Sequence, residues 1–131
     1  MNKPSVVIVE DDEVLLKVLL DELNDAGIDV SSALDGEEGL KKIQEKRPDL
    51  VLLDLLLPKK SGFEVLEDMK QATETRGIPV MILSMLGQDE DIKRGLGLGA
   101  NDYIVKSQHA VGEVVEKVKN FFTKESHPPA K

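Results

Sequence analysis

The sequence predicts an α/β fold, a parallel sheet between two helical layers, on three observations. Five short apolar runs, at residues 6–9, 28–33, 50–53, 78–83 and 103–105, punctuate the chain. Segments whose apolar residues recur three and four positions apart fill the gaps between them. Four of the five runs are almost continuously apolar, as expected of strands covered on both faces. Strand and helix alternating in this way imply βα units joined by right-handed crossovers, which stack as a three-layer sandwich. Sites in such folds gather at the carboxyl ends of the strands.

The first strand, Val6-Val7-Ile8-Val9, runs directly into Glu10-Asp11-Asp12. The first helix then places Val14, Leu15, Val18, Leu19 and Leu23 on one wide apolar face and stops at Gly27. The second strand contains Asp29, Ser31 and Ser32, which suits a sheet edge. Asp35 followed by Glu38 has the spacing of a helix cap and opens the second helix, which ends before Pro48. The third strand, Leu50-Val51-Leu52-Leu53, ends in Asp54, and Ser61-Gly62-Phe63-Glu64 opens the third helix with a cleaner capping signature. The fourth strand ends in Ser84. The following helical segment, residues 89–99, contains Gly95, Gly97 and Gly99, and interior glycine costs about 1 kcal/mol relative to alanine. A short or loosely held helix is expected there. The fifth strand is followed by Lys106, and the fifth helix carries Val111, Val114, Val115, Val118 and Phe122 on one stripe.

Composition bounds the function. The 131 residues, 40% of them hydrophobic, suit one core and one domain over residues 1–124, with residues 125–131, including Pro128 and Pro129, read as a frayed tail. With no cysteine, a disulfide framework, thiolate-bound zinc, an iron–sulfur cluster and a thiol nucleophile are all excluded. Lys and Arg number 17 against 25 Asp and Glu, a net charge of −8, which disfavours direct binding to DNA or anionic lipid. The four apolar residues before Glu10 are too few for a secretory or membrane-spanning segment, so the cytoplasm is the expected location.

The acids at the strand ends carry the chemistry. An ionised Asp54 amid Leu50–Leu53 and Leu55-Leu56-Leu57 would be expensive unless it emerged from the sheet or met a cation. Carboxylates crowded at neighbouring strand ends repel one another unless a divalent ion relieves them. Two or three carboxylates, a backbone carbonyl and waters suit Mg²⁺ (or Mn²⁺). Asp11 or Asp12 would equally serve to cap the first helix. At two further strand ends, Ser84 offers a hydrogen-bond donor and Lys106 a point charge, together a cradle for a phosphoryl group.

Glu10-Asp11, Asp54 with Pro58 and Gly62 downstream, Ser84, Gly99-Ala100-Asn101-Asp102-Tyr103 and Lys106, in this order and spacing, resemble the receiver domain of two-component response regulators over residues 5 to about 122. The resemblance implies a flavodoxin-like (βα)5 sandwich whose strands lie in the order 2-1-3-4-5. It also implies a phosphoacceptor rather than a turnover enzyme, with Asp54 attacking the phosphohistidine of a kinase or phosphotransfer protein to become an aspartyl phosphate. Asp11, Asp54 and the backbone carbonyl of Leu56 would hold the metal directly, and Glu10 would act through water. Lys106 would pair with the phosphoryl oxygens, Ser84 would swing towards them, and Tyr103 would follow by turning inward.

Three departures from the family pattern concern rate and geometry. Ser107 replaces the usual proline after Lys106, which leaves open whether the Lys106–Ser107 peptide is cis or trans. Met85 stands where a small residue is usual and would narrow access to Asp54. Leu56 has no group to orient an attacking water. Met85 and Leu56 together imply a long-lived phosphorylated state.

A Mg²⁺-dependent phosphatase with an aspartate nucleophile is disfavoured because Leu56 occupies the place of its second acid. A flavin or nucleotide site is disfavoured because Glu10-Asp11-Asp12 repels an anion. The output surface would be the face of the fourth helix, Tyr103 and the fifth helix, which contacts a downstream protein or a second copy of the chain, with the first helix docking the phosphodonor. The chain would be either a complete single-domain regulator or a receiver taken from a longer polypeptide.

Overall fold

A computed structural model describes residues 3–123. It contains β1 (Ser5–Val9), α1 (Glu13–Asp25), β2 (Asp29–Ala33), α2 (Gly36–Lys46), β3 (Leu50–Leu53), α3 (Gly62–Gln71), β4 (Val80–Ser84), α4 (Asp89–Gly97), β5 (Asp102–Val105) and α5 (Val111–Thr123). The expected tail at 125–131 lies outside the described residues. All strand pairings are parallel and the order is β2-β1-β3-β4-β5, as the resemblance implies, with the polar second strand at an edge.

The sheet divides the core in two. On one face Val6, Ile8, Leu50, Leu52, Leu83 and Ile104 pack against α1 and α5. On the other, Val7, Val9, Val51, Leu53 and Ile82 meet α2, α3 and the segment after α4. Alternate residues of one strand serve opposite layers, which is why these strands are apolar throughout. Fully buried side chains such as Leu19, Leu23, Leu66 and Met69 each stabilise the fold by about 1.5–3 kcal/mol relative to an exposed position.

Several boundaries and one helix face differ from expectation: β1 starts one residue early, at Ser5, and α4 ends at Gly97 rather than residue 99. β2 starts at Asp29, although Ile28 is buried beside it, and β5 starts at Asp102. β4 starts at Val80 rather than residue 78, because Pro79 has no amide to donate to the ladder. In α1 the buried stripe is Leu16, Leu19 and Leu23, while Val14 and Val18 are exposed. The capping expectations hold: Asp12 accepts from the amides of Val14 and Leu15, Asp35 from Glu38, and Ser61 and Glu64 form a reciprocal capping box. α4, as expected, is short at nine residues, and no side chain caps it.

Candidate functional site

Register places the site. Val9 pairs with Leu53, and Leu53 pairs with Ile82, so β1 and β3 end level while β4 runs two residues further, to Ser84. Glu10 and Asp54 are the next residues on adjacent strands and share the alternation of Ile8 and Leu52, the side of the sheet covered by α1 and α5. Lys106 follows β5 with the alternation of Ile104, on that same side. Ser84 and Tyr103 alternate towards the opposite layer.

Glu10 and Asp54 are almost fully buried, at 1% and 4% exposure, whereas Asp11 is exposed. One carboxylate oxygen from each of Glu10, Asp11 and Asp54 lies within 4.8 Å of the other two. Lys106 Nζ bridges the buried pair, 2.8 Å from Glu10 Oε1 and 3.1 Å from Asp54 Oδ2. The Leu56 amide donates to Asp54 Oδ1 at 3.2 Å, and the Asp12 amide to Glu10 Oε2 at 3.0 Å. With all three carboxylates ionised, one ammonium leaves two negative charges uncompensated. Burial pushes the Glu10 carboxyl up to about 7, and the nearby Asp54 charge adds to the rise despite Lys106 and the Asp12 amide. Burial works against the Lys106 ammonium, but the Glu10 and Asp54 carboxylates outweigh it and hold its pKa above the ordinary lysine value.

These residues fit a divalent cation. Glu10 Oε1 is buried and meets no donor with hydrogen-bond geometry among the described residues, while the Lys106 ammonium lies 2.8 Å away as its ion-pair partner. All donors present are oxygens, the class that Mg²⁺ and Mn²⁺ prefer.

Ser84 is completely buried, and its Oγ accepts from the Leu86 amide at 3.3 Å. Tyr103 is half-buried and donates its hydroxyl to the Leu86 carbonyl. The Tyr103 hydroxyl thus faces the loop that leaves β4. Met85 and Leu56 are exposed, at 58% and 54%, at the rim of the site. The Lys106–Ser107 peptide is trans, and Lys106–Gln108 form a 3-10 turn.

Sequence reasoning missed Leu86, which acts through backbone atoms that carry no residue signature. Gly62, part of the sequence pattern, owes its place to a close approach. A Cβ there would fall 2.1 Å from the Asp54 carbonyl oxygen and 2.6 Å from Leu55 Cα, so only glycine lets α3 start against the loop leaving Asp54.

Residues 6–119 match the family model described as the response regulator receiver domain. The chain is 37% identical over 116 residues to the phosphate regulon transcriptional regulatory protein PhoB of Rhizobium meliloti (strain 1021), covering 88% of this chain and 51% of that protein. It is 40% identical over 106 residues to the alkaline phosphatase synthesis transcriptional regulatory protein PhoP of Bacillus subtilis (strain 168), covering 81% and 43%. The chain therefore spans about half the length of these curated relatives. Among solved structures, the Mn²⁺-bound form of response regulator Rcp1 superposes with a TM-score of 0.84 at 27% identity, over 93% of this chain and 96% of that one. The phosphorylated cyanobacterial phytochrome response regulator RcpA gives 0.86 at 28% identity, over 99% and 100%.

Proposed function

Because this chain belongs to the response regulator receiver domain family of two-component signalling, we propose that it accepts a phosphoryl group on Asp54 from the phosphohistidine of a kinase or histidine phosphotransfer protein. The observation that carries the reading is Lys106 held between buried Glu10 and Asp54 at the carboxyl ends of three strands.

Asp11, Asp54 and the Leu56 carbonyl would hold Mg²⁺ (or Mn²⁺), with Glu10 acting through water. When bound, the ion supplies charge neutralisation for the carboxylates and the incoming phosphoryl oxygens. The chain's own residues do the rest. An oxygen of Asp54 forms a bond to phosphorus as the donor's P–N bond breaks, and the departing imidazole takes its proton from solvent. Lys106, already charged and beside the acceptor oxygen, passes from bridging two carboxylates to binding the phosphoryl oxygens. The Leu56 amide orients the acceptor carboxylate. Ser84, buried beyond the acceptor, donates to a phosphoryl oxygen after giving up its bond from Leu86, and Tyr103 follows through the Leu86 carbonyl.

Leu56 puts an apolar side chain where a phosphatase acting on outside substrates needs an acid, which supports an acceptor that turns over only its own phosphoryl group. The acceptor domain extends through residue 124, and the reading puts it in the cytoplasm with the kinase. None of the described helices is long and apolar enough to cross a membrane. Output passes through protein contacts of the α4–β5–α5 face, with a downstream target or a second copy, and not through direct DNA contact by this acidic chain.

Incubation with a small acyl-phosphate donor and Mg²⁺, followed by intact-mass measurement, tests the reading. Wild type should gain one phosphoryl group and Asp54→Ala none; an unmodified wild type, or an equal adduct on the variant, refutes it.

A further inference from the structure

α4 is seated unlike the other helices. Its only buried residue is Gly95, and its N-cap Gln88 makes no side-chain bond to the first turn. Gly95 lies flat on the sheet: a Cβ there would fall 2.6 Å from Ile82 Cδ1 and 3.1 Å from the Tyr103 ring. No large side chain of α4 is buried to anchor it. Arg94, the neighbour of Gly95, instead reaches α3, where its guanidinium carbon lies 3.9 Å from the centroid of the Phe63 ring.

Phe63 is a firm base for that contact. It is buried, it follows Gly62, and Gly62 is pressed against the Asp54 carbonyl and Leu55. The Ser61–Glu64 capping box fixes the same turn. A cation on the lightly held helix therefore stacks on a ring rigidly joined to the loop that leaves Asp54.

We propose that Arg94 is a positioning residue whose stack on Phe63 couples α4 to the acceptor loop, by a route separate from Ser84, Leu86 and Tyr103. An exposed contact of this kind shifts a local equilibrium about two- to fivefold. That is enough to bias a helix so shallowly seated and too little to decide whether the domain folds. The coupling rests on Asp54 as the acceptor; the seating of α4 does not.

Hydrogen exchange of the α4 amides in the unphosphorylated full chain tests the seating. Exchange should be about two- to fivefold faster in Arg94→Ala and closer to wild type in Arg94→Lys, which keeps the charge. Phe63→Leu, which removes the aromatic face but fills the core, should give a similar acceleration, and the double variant should be no faster than either single one. Unchanged exchange in Arg94→Ala, or accelerations that multiply in the double variant, overturn the seating and the proposal with it. The second arm repeats the measurement after phosphorylation by a small acyl-phosphate donor with Mg²⁺, with intact mass reporting the adduct. At equal adduct, the change in α4 exchange on phosphorylation should be about two- to fivefold smaller in Arg94→Ala than in wild type. Equal changes in both, or none in wild type, overturn the coupling. A wild type that takes no adduct refutes the acceptor reading and the coupling together, while the first arm still decides whether Arg94 seats α4.

Discussion

The hydroxyl of Tyr103 donates to the backbone carbonyl of Leu86, fastening the ring on β5 to the loop that leaves β4. The amide of the same Leu86 donates to Ser84 Oγ, so the two peptide groups of one residue join the buried hydroxyl to the aromatic ring. Tyr103 is the one tyrosine of the sequence, which has no tryptophan, so ultraviolet absorbance and emission report on this linkage directly.

Burial pushes the Tyr103 phenol up from 10.0 to about 12, and the charges of Asp91 and Asp54 add to the shift. The folded protein thus keeps this proton to higher pH than the unfolded chain. The resulting stabilisation is complete below about pH 10 and lost as pH rises through about 12. Phenolate absorbance should show a midpoint near 12 in the folded protein, moving to about 10 in urea. One shared midpoint near 10.0 would show that the ring is not held as described.

Two glycines should respond oppositely to alanine. Gly62→Ala drives a Cβ into backbone at 2.1 Å and should destabilise the fold by roughly 2–4 kcal/mol. Nothing lies within 4 Å of a Cβ at Gly97, the last residue of α4, so Gly97→Ala should be neutral or stabilise by up to about 1 kcal/mol. Urea unfolding of both variants checks the contrast, and equal effects would contradict the close approach at Gly62.

Lys106→Met keeps an unbranched side chain one atom shorter and removes the charge beside Asp54. Its phosphorylation by a small donor should slow by about 10²-fold, the usual loss when one preorganised charge or donor is deleted. Single-turnover accumulation of the adduct measures this, and a rate within about twofold of wild type would exclude Lys106 from the transfer.

Met85 and Leu56 stand exposed at the rim, where water must approach the acyl phosphate. If they shield it, Met85→Ala and Leu56→Asn should each shorten its lifetime, together by about tenfold, equivalent to roughly 1.4 kcal/mol of barrier. Adduct decay after donor removal is the measurement; identical decay in wild type and double variant would assign the lifetime elsewhere.

Much of this was legible in the sequence because burial constrains composition. Strands covered on both faces must be apolar along their whole length, and an acid directly after such a run, as at Val9-Glu10 or Leu53-Asp54, has few inexpensive places to be. Periodicity resolved α1 less well. Val14, Leu15, Leu16, Val18, Leu19 and Leu23 form an apolar arc wider than the surface available to cover it, and only packing against the sheet and α5 selects Leu16 over Val14 and Val18. Adjacent acids likewise look alike in sequence, yet Glu10 is buried and Asp11 exposed because one continues the strand and the other leaves it. The stack of Arg94 on Phe63 joins two helices distant in the chain and has no local signature.

The level ending of β1 and β3 makes strand length itself part of the site. Deleting one residue from Leu50–Leu53 would leave composition, hydropathy and a plausible sheet intact, yet carry the acceptor carboxylate to the opposite face, away from Glu10 and Lys106. Substitutions within these strands are therefore judged by volume, whereas insertions and deletions are judged by parity. Variation in length among functional homologues should be confined to the loops, with the spacing from Val9 to Glu10 and from Leu53 to Asp54 kept unbroken.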